Sequence, residues 1–143
     1  MRIEAAADRT FAEIEALLAR LSLPTAGLHD QFPRAYIVAI DLGAVIGCAG
    51  VETYGRAGLL RSVAVSPARA KSGIGRALVA DRLAAARSEG LEAVYLLTTT
   101  AADFFVRLGF VPADRAGVPS ALASSPEFAS VCPASATCLK FAL

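Results

Sequence analysis

Between Val63 and Leu78 the chain changes character within a short span. Val63-Ala64-Val65 is apolar and β-branched, Ser66-Pro67 stops it, a basic loop follows, and Gly73-Ile74-Gly75 opens a run of good helix formers. Strand, loop, glycines and helix in that order place the end of a strand beside a helix N-terminus, which demands an α/β layered fold. The first N–H groups of the helix and its dipole then point at the loop, and glycine lets a ligand come close to the backbone. Arg69, Lys71 and Arg76 add positive charge, so the segment suits a phosphate or pyrophosphate; a tight turn that simply needs glycine is the plainer alternative. Two phosphate motifs are excluded: Leu78 stands where a dinucleotide fingerprint has its third glycine, and no Gly-Lys-Ser/Thr follows.

The flanking sequence predicts the rest of the layer. Thr10-Phe11-Ala12-Glu13 reads as a capping box, and Phe11, Ile14, Leu17, Leu18 and Leu21 form one helical face that Pro24 and Gly27 end. Ala26 to Phe32 reads as a short helix or a loop. Arg34 to Asp41 and Ala44 to Tyr54 read as a hairpin turning at Asp41-Leu42-Gly43, with a third strand over Leu59 to Val65. A helix is expected from Gly73 to about Glu89, closed by Gly90, with Arg82 intruding on its apolar arc. Ala93 to Thr98 has the composition of a buried central strand, Ala101 to Leu108 of a short helix closed by Gly109, and Phe110-Val111 and Cys138 to Leu143 of short strands. Gly117 to Pro133 reads as a loop with one helical turn near Glu127. The expected architecture is one α/β domain over residues 1–143 with a mixed sheet.

Charge narrows the partners. Fourteen Lys and Arg against thirteen Asp and Glu leave a net charge of +1, without the basic stripe that nucleic acid or an anionic membrane requires. A mean hydropathy of +0.53 is high, yet the apolar residues lie in short runs, far from the roughly 18 to 20 in a row that span a membrane. Met1-Arg2-Ile3-Glu4 does not resemble an export signal, so a cytoplasmic protein is expected. Cys48, Cys132 and Cys138 are odd in number and lack CxxC spacing, which argues against a disulfide framework and against a structural metal.

Pro67 to Leu78, followed by Thr98-Thr99-Thr100-Ala101-Ala102-Asp103-Phe104-Phe105-Val106-Arg107-Leu108-Gly109-Phe110, resembles the GCN5-related N-acetyltransferase family. That family carries an Arg/Gln-x-x-Gly-x-Gly/Ala loop for the pyrophosphate of acetyl-CoA and an aromatic helix ending in Leu-Gly-Phe. Four stretches, Leu23 to Leu28, Gly58 to Val65, Leu97 to Phe105 and Cys132 to Ala136, are similar to its arsenic-resistance-associated branch. A related branch acetylates arsinothricin and phosphinothricin. The resemblance implies a mixed central sheet with helices on both faces, in which the parallel strands Leu59 to Val65 and Ala93 to Thr98 splay around the pantetheine arm. It implies acetyl-CoA as cosubstrate, held by Val63, Val65, Arg69, Ala70, Lys71, Ser72, Gly73, Ile74, Gly75, Arg76, Thr98, Phe104, Phe105 and Arg107. The backbone N–H near Val63 would polarise the thioester carbonyl. Two departures stand out: Ala70 occupies the family's Arg/Gln position, and Phe105 replaces a tyrosine that often protonates the departing thiolate.

On the acceptor side Glu52, an acid at the end of an apolar strand, is the candidate base, against a solvated carboxylate near a turn. Arg61, with Ser62 beside it, lies inside an apolar strand and needs an anion: a substrate carboxylate or oxyanion, or an internal ion pair with Glu52 or another acid. His29 sits in a loop expected to overlie the acceptor. Cys132 and Cys138 could meet around a trivalent arsenical, although buried inert thiols are the simpler reading. The expected activity is acetylation of a small amino-acid-like amine, an arsenical or phosphinic glutamate analogue or an ordinary amino acid such as glutamate; a non-catalytic CoA- or arsenical-binding module is the rival. Apolar residues of the last strand point to a homodimer.

Overall fold

The computed structural model describes residues 1–143. Seven strands form one sheet: β1 (Arg2–Ala5), β2 (Tyr36–Asp41), β3 (Ala44–Tyr54), β4 (Ala57–Val65), β5 (Ala93–Thr98), β6 (Val111–Pro112) and β7 (Thr137–Ala142). Their order is β1-β2-β3-β4-β5-β7-β6, and β4 with β5 is the one parallel pair. The helices are α1 (Phe11–Arg20), α2 (Ile74–Ser88), α3 (Ala102–Arg107) and the single turn α4 (Ser120–Ala123).

Strand alternation sorts side chains to two faces. Tyr36, Val38 and Ile40 pack with Ile14, Leu17 and Leu18 of α1, whereas Ile37 and Ala39 pack with Ile74 and Leu78 of α2. Further along the sheet, Leu60, Val94 and Leu96 meet Val79 and Leu83 of α2 and Phe105 of α3, while Leu59, Ala93 and Tyr95 meet Leu122 and Phe128 on the α1 side. Helices therefore cover both faces, as the resemblance implies. No helix is long and apolar enough to cross a membrane.

Several expectations change. Strand β1 was hidden in Arg2–Ala5, whose mixed side chains belong to an edge strand. The Thr10 hydroxyl bonds the N–H and carbonyl of Ala7, not the helix N-terminus, and Glu13 accepts a hydrogen bond from the Val45 N–H at 3.1 Å. Of the two readings of Ala26 to Phe32 the loop holds: residues 26–35 form turns, pinned where the Gln31 amide donates to the Thr53 carbonyl (2.9 Å) and accepts from the Thr53 N–H (2.7 Å). Arg82 on α2 reaches the Ala35 carbonyl at 3.1 Å, which explains a charge inside the apolar arc. The 117–133 segment carries the helical turn expected near Glu127, over Glu127–Val131, and is ordered by Arg115, whose guanidinium donates to the carbonyls of Phe128, Cys132 and Pro133 and lies 5.8 Å over the Phe128 ring.

Candidate active site

Strands β4 and β5 pair only from Ala57 to Leu59 against Ala93 to Tyr95, yet β4 continues to Val65 and β5 to Thr98. Beyond Leu59 they diverge, leaving strand edges free to bond an extended ligand. The divergence has a local cause. The β3–β4 register shifts between Cys48 and Gly50, so Ser62 and Val63 together face Ala49 in a bulge, with Ser62 at φ 58°. The Cys48 thiol donates to the Ser62 carbonyl at 3.2 Å and holds the bulge; its burial pushes the thiol pKa up to about 12.

A cleft of about 680 Å³ occupies the opening. One end is closed by the segment that the sequence singled out. Gly73 caps α2 with φ 87°, and no backbone N–H from Lys71 to Arg76 donates to a backbone carbonyl. Six consecutive free donors at the start of a fifteen-residue helix make a cradle for anionic oxygen. Arg69 is committed to an ion pair with Asp41, whereas Lys71 and Arg76 are exposed and make no ion pair. Phe104 of α3 faces Gly75, its ring 3.4 Å from where a Cβ would lie, so α3 packs against the start of α2. Thr98 accepts a hydrogen bond from the Ala101 N–H at 3.0 Å and starts the turn into α3.

The other end is built around Arg61. Its side chain is 1% exposed and meets Glu127 (Nε to Oε1, 3.3 Å), Glu52 (Nη1 to Oε2, 3.7 Å), the Ser62 hydroxyl (3.3 Å) and the Pro24 carbonyl (3.3 Å). Glu52 is further held by the hydroxyls of Tyr36 (2.6 Å) and Tyr54 (3.0 Å). Burial, with the Glu52 charge adding to it, raises both tyrosine pKa values, so each hydroxyl stays a donor. Tyr36 reaches Glu52 because its ring lies on Gly50, where a Cβ would come within 2.3 Å of it. At Gly27, φ is 75° and a Cβ would lie 3.2 Å from Pro126 and 3.5 Å from Arg61, so the turn after α1 closes onto the arginine only with glycine there. Glu127 is 4% exposed; desolvation raises its pKa, and the opposing field of Arg61 does not cancel the rise.

The residues expected from sequence divide accordingly. Arg61, Ser62, Val63, Val65, Arg69 to Arg76, Thr98, Phe104 and Phe105 all line the cleft. Three do not. Glu52 is 1% exposed behind Arg61 with its oxygens occupied, so a strand-end acid became a buried anchor rather than a cleft base. His29 stacks on Phe11, ring centroids 4.6 Å apart, away from the cleft, and Arg107 is exposed outside it. Arg61 is already paired twice, so it is not an unmatched charge awaiting an anion. Cys132 lines the cleft while Cys138 lies in the core with Leu59 and Tyr95. Sequence reasoning missed Glu127 as a cleft residue, along with Ser22 and Pro24; the one signal was an acidic residue in an apolar, proline-bounded turn.

Free helix-start donors, an opened parallel pair and a mostly apolar cleft between them are the features of an acyl-CoA-binding α/β domain. The chain belongs to the acetyltransferase (GNAT) domain family, whose model matches residues 33–112. An amino-acid acetyltransferase of Mycobacterium tuberculosis is 41% identical over 69 residues, which are 48% of this chain and 39% of that protein, so the match spans about two fifths of the curated relative. Among solved structures, N-acetylglutamate synthase of Neisseria gonorrhoeae, in complex with coenzyme A and N-acetyl-glutamate, superposes with a TM-score of 0.85 at 21% identity, over 99% of this chain and 35% of that one. A Mycobacterium tuberculosis protein in complex with CoA gives 0.85 at 23% identity over 100% of this chain and 99% of its own. These superpositions establish the shared fold.

Proposed function

We propose that this protein is an acetyl-CoA-dependent N-acetyltransferase that modifies the amine of a small amino-acid-like acceptor. The observation that carries the reading is the cleft itself: six unpaired N–H groups from Lys71 to Arg76 at one end, the opened β4–β5 edge in the middle, and a buried polar cluster around Arg61 at the other. The residues present fit the cosubstrate. The free N–H groups with Lys71 and Arg76 would hold the pyrophosphate, the edges of β4 and β5 the amide-bearing arm, and Phe104 and Phe105 the apolar wall. Acetyl-CoA supplies an acetyl group activated as a thioester. Val63, in the bulge with Ser62, would offer its N–H to the thioester carbonyl, and Ser62 and Arg61 would face the acceptor.

Ala70 removes one side chain from the pyrophosphate loop, but the cradle is mainly backbone, so binding is weakened rather than lost. Phe105 has no proton to give, which assigns protonation of the thiolate to water. The acceptor class rests on the amino-acid acetyltransferase likeness, with arsenical and phosphinic glutamate analogues as the finer reading from the four matching stretches. A cytoplasmic enzyme, which could assemble as a homodimer, completes the reading. The test is thiol release from acetyl-CoA with L-glutamate, L-glutamine, phosphinothricin and arsinothricin as acceptors. Turnover with any of them is expected; CoA binding without turnover across the panel would favour a binding module, and no CoA binding would end the acetyltransferase reading.

A further inference from the structure

Two carboxylates approach Arg61, and they differ in what else they touch. Glu52 accepts from two tyrosine hydroxyls and lies outside the cleft. Glu127 lines the cleft and accepts no hydrogen bond from any donor in the chain: the single hydrogen on Arg61 Nε, its nearest ionic neighbour at 3.3 Å, is directed to the Ser62 hydroxyl. No buried side-chain oxygen in the structure is left without a partner, so the Glu127 carboxylate, 4% exposed and lining the cleft, keeps oxygen surface open to the cavity, where a ligand's donor can reach it. An ammonium group is such a donor, and the two glutamates outnumber the one arginine, so the cluster favours a cation.

Resting on the acetyltransferase reading, we propose that Glu127 is the catalytic base: it receives the acceptor's ammonium group and takes its proton. The freed lone pair then forms the C–N bond to the thioester carbonyl carbon, the C–S bond breaks, and CoA leaves as a thiolate. A second nitrogen proton is lost through water as the amide forms, and water protonates the thiolate. Glu127 passes its proton to solvent through the cleft, which restores the enzyme.

Burial raises the Glu127 pKa above the ordinary carboxylate value, the direction that makes it a better proton acceptor. The charged and titratable groups facing it are Arg61 of β4, Glu52 of β3 and the thiol of Cys132 on its own segment; the hydroxyls of Tyr36 and Tyr54 face it through Glu52.

The experiment compares the pH dependence of kcat/KM for the wild type and Glu127→Gln, using whichever acceptor in the panel turns over fastest, with acetyl-CoA affinity measured alongside. The proposal expects kcat/KM at neutral pH to fall by about 100-fold or more, the acid limb of the profile to disappear, and acetyl-CoA affinity to stay within about threefold. A variant that keeps most of its rate, or that loses rate but retains the wild-type acid limb, overturns it. If Glu127→Gln does not fold, the wild-type profile decides: kcat must fall on the acid side, and a kcat that falls at no acid pH at which the protein stays folded overturns the proposal. An inactive wild type counts against the acetyltransferase reading; an active wild type with an unaffected Glu127→Gln counts against Glu127 alone.

Discussion

Gly50→Ala tests how the acceptor end is supported. The new methyl would stand 2.3, 2.4 and 2.9 Å from Cε2, Cδ2 and Cζ of Tyr36, all inside van der Waals contact. The ring is 1% exposed, walled in by α1 and the sheet, so it has no vacant space to enter. Overpacking of this kind costs about 1 to 3 kcal/mol. Displacing the ring also breaks the 2.6 Å bond from its hydroxyl to Glu52, a loss of about 1.5 to 3 kcal/mol for a bond to a charged group. Together the expected destabilisation is about 2.5 to 6 kcal/mol, or a fall in Tm of about 8 to 20 °C for a domain of this size. Urea titration followed by circular dichroism measures it. The same substitution in a Tyr36→Leu background should cost less than about 1 kcal/mol, because the clashing ring is gone. A loss below about 1 kcal/mol in the wild-type background, or equal losses in both, would refute the reasoning.

Three further outcomes follow from the same structure. Lys71→Ala and Arg76→Ala should each weaken acetyl-CoA binding by about two- to tenfold in calorimetry, with the effect shrinking as salt rises, since both cations are exposed and meet phosphate from solvent. The hydrogen bond from Arg69 holds the Asp41 carboxyl below its ordinary pKa, helped by the N-terminal ammonium, so this pair stabilises the fold above the unfolded carboxylate pKa of about 3.9 and loses that contribution as pH falls through it. Asp41→Asn should therefore be less stable than wild type at neutral pH in urea titrations, with the difference vanishing near about pH 2. Ellman's reagent should modify Cys132 first and more slowly when CoA is bound, whereas Cys48, buried with its thiol pKa pushed up to about 12, should react only on unfolding.

Much of the fold was legible because its signals are local. Ala93 to Thr98 was bounded as the structure has it, and the helix after Gly73-Ile74-Gly75 followed from glycine, helix propensity and Gly90. The segment proposed to hold CoA was legible for the same reason: it is one continuous stretch, Lys71 to Arg76, whose backbone N–H groups stay free. The acceptor end was not, because it joins residues far apart in the chain. Glu127 is brought to Arg61 by a segment that Arg115 staples through three carbonyls, and a polar residue bonding to backbone leaves no periodic trace. Glu52 misled because an acid near a strand end looks solvated; only the register that lays Tyr36 over Gly50 shows that it is buried. The capping box at Thr10 failed because a 3₁₀ turn precedes α1 and takes the threonine hydroxyl.

The free N–H groups of Lys71 to Arg76 and the opened β4–β5 edge are proposed to form the acetyl-CoA site. Amide chemical-shift mapping of the ¹⁵N-labelled protein during an acetyl-CoA titration tests it most directly. The expected result is saturable shifts concentrated on residues 71–76, on Val63 and Val65, and on Leu97 and Thr98, with β1 and the far end of α2 unmoved. No saturable shift, or shifts centred away from that cleft, would contradict the claim.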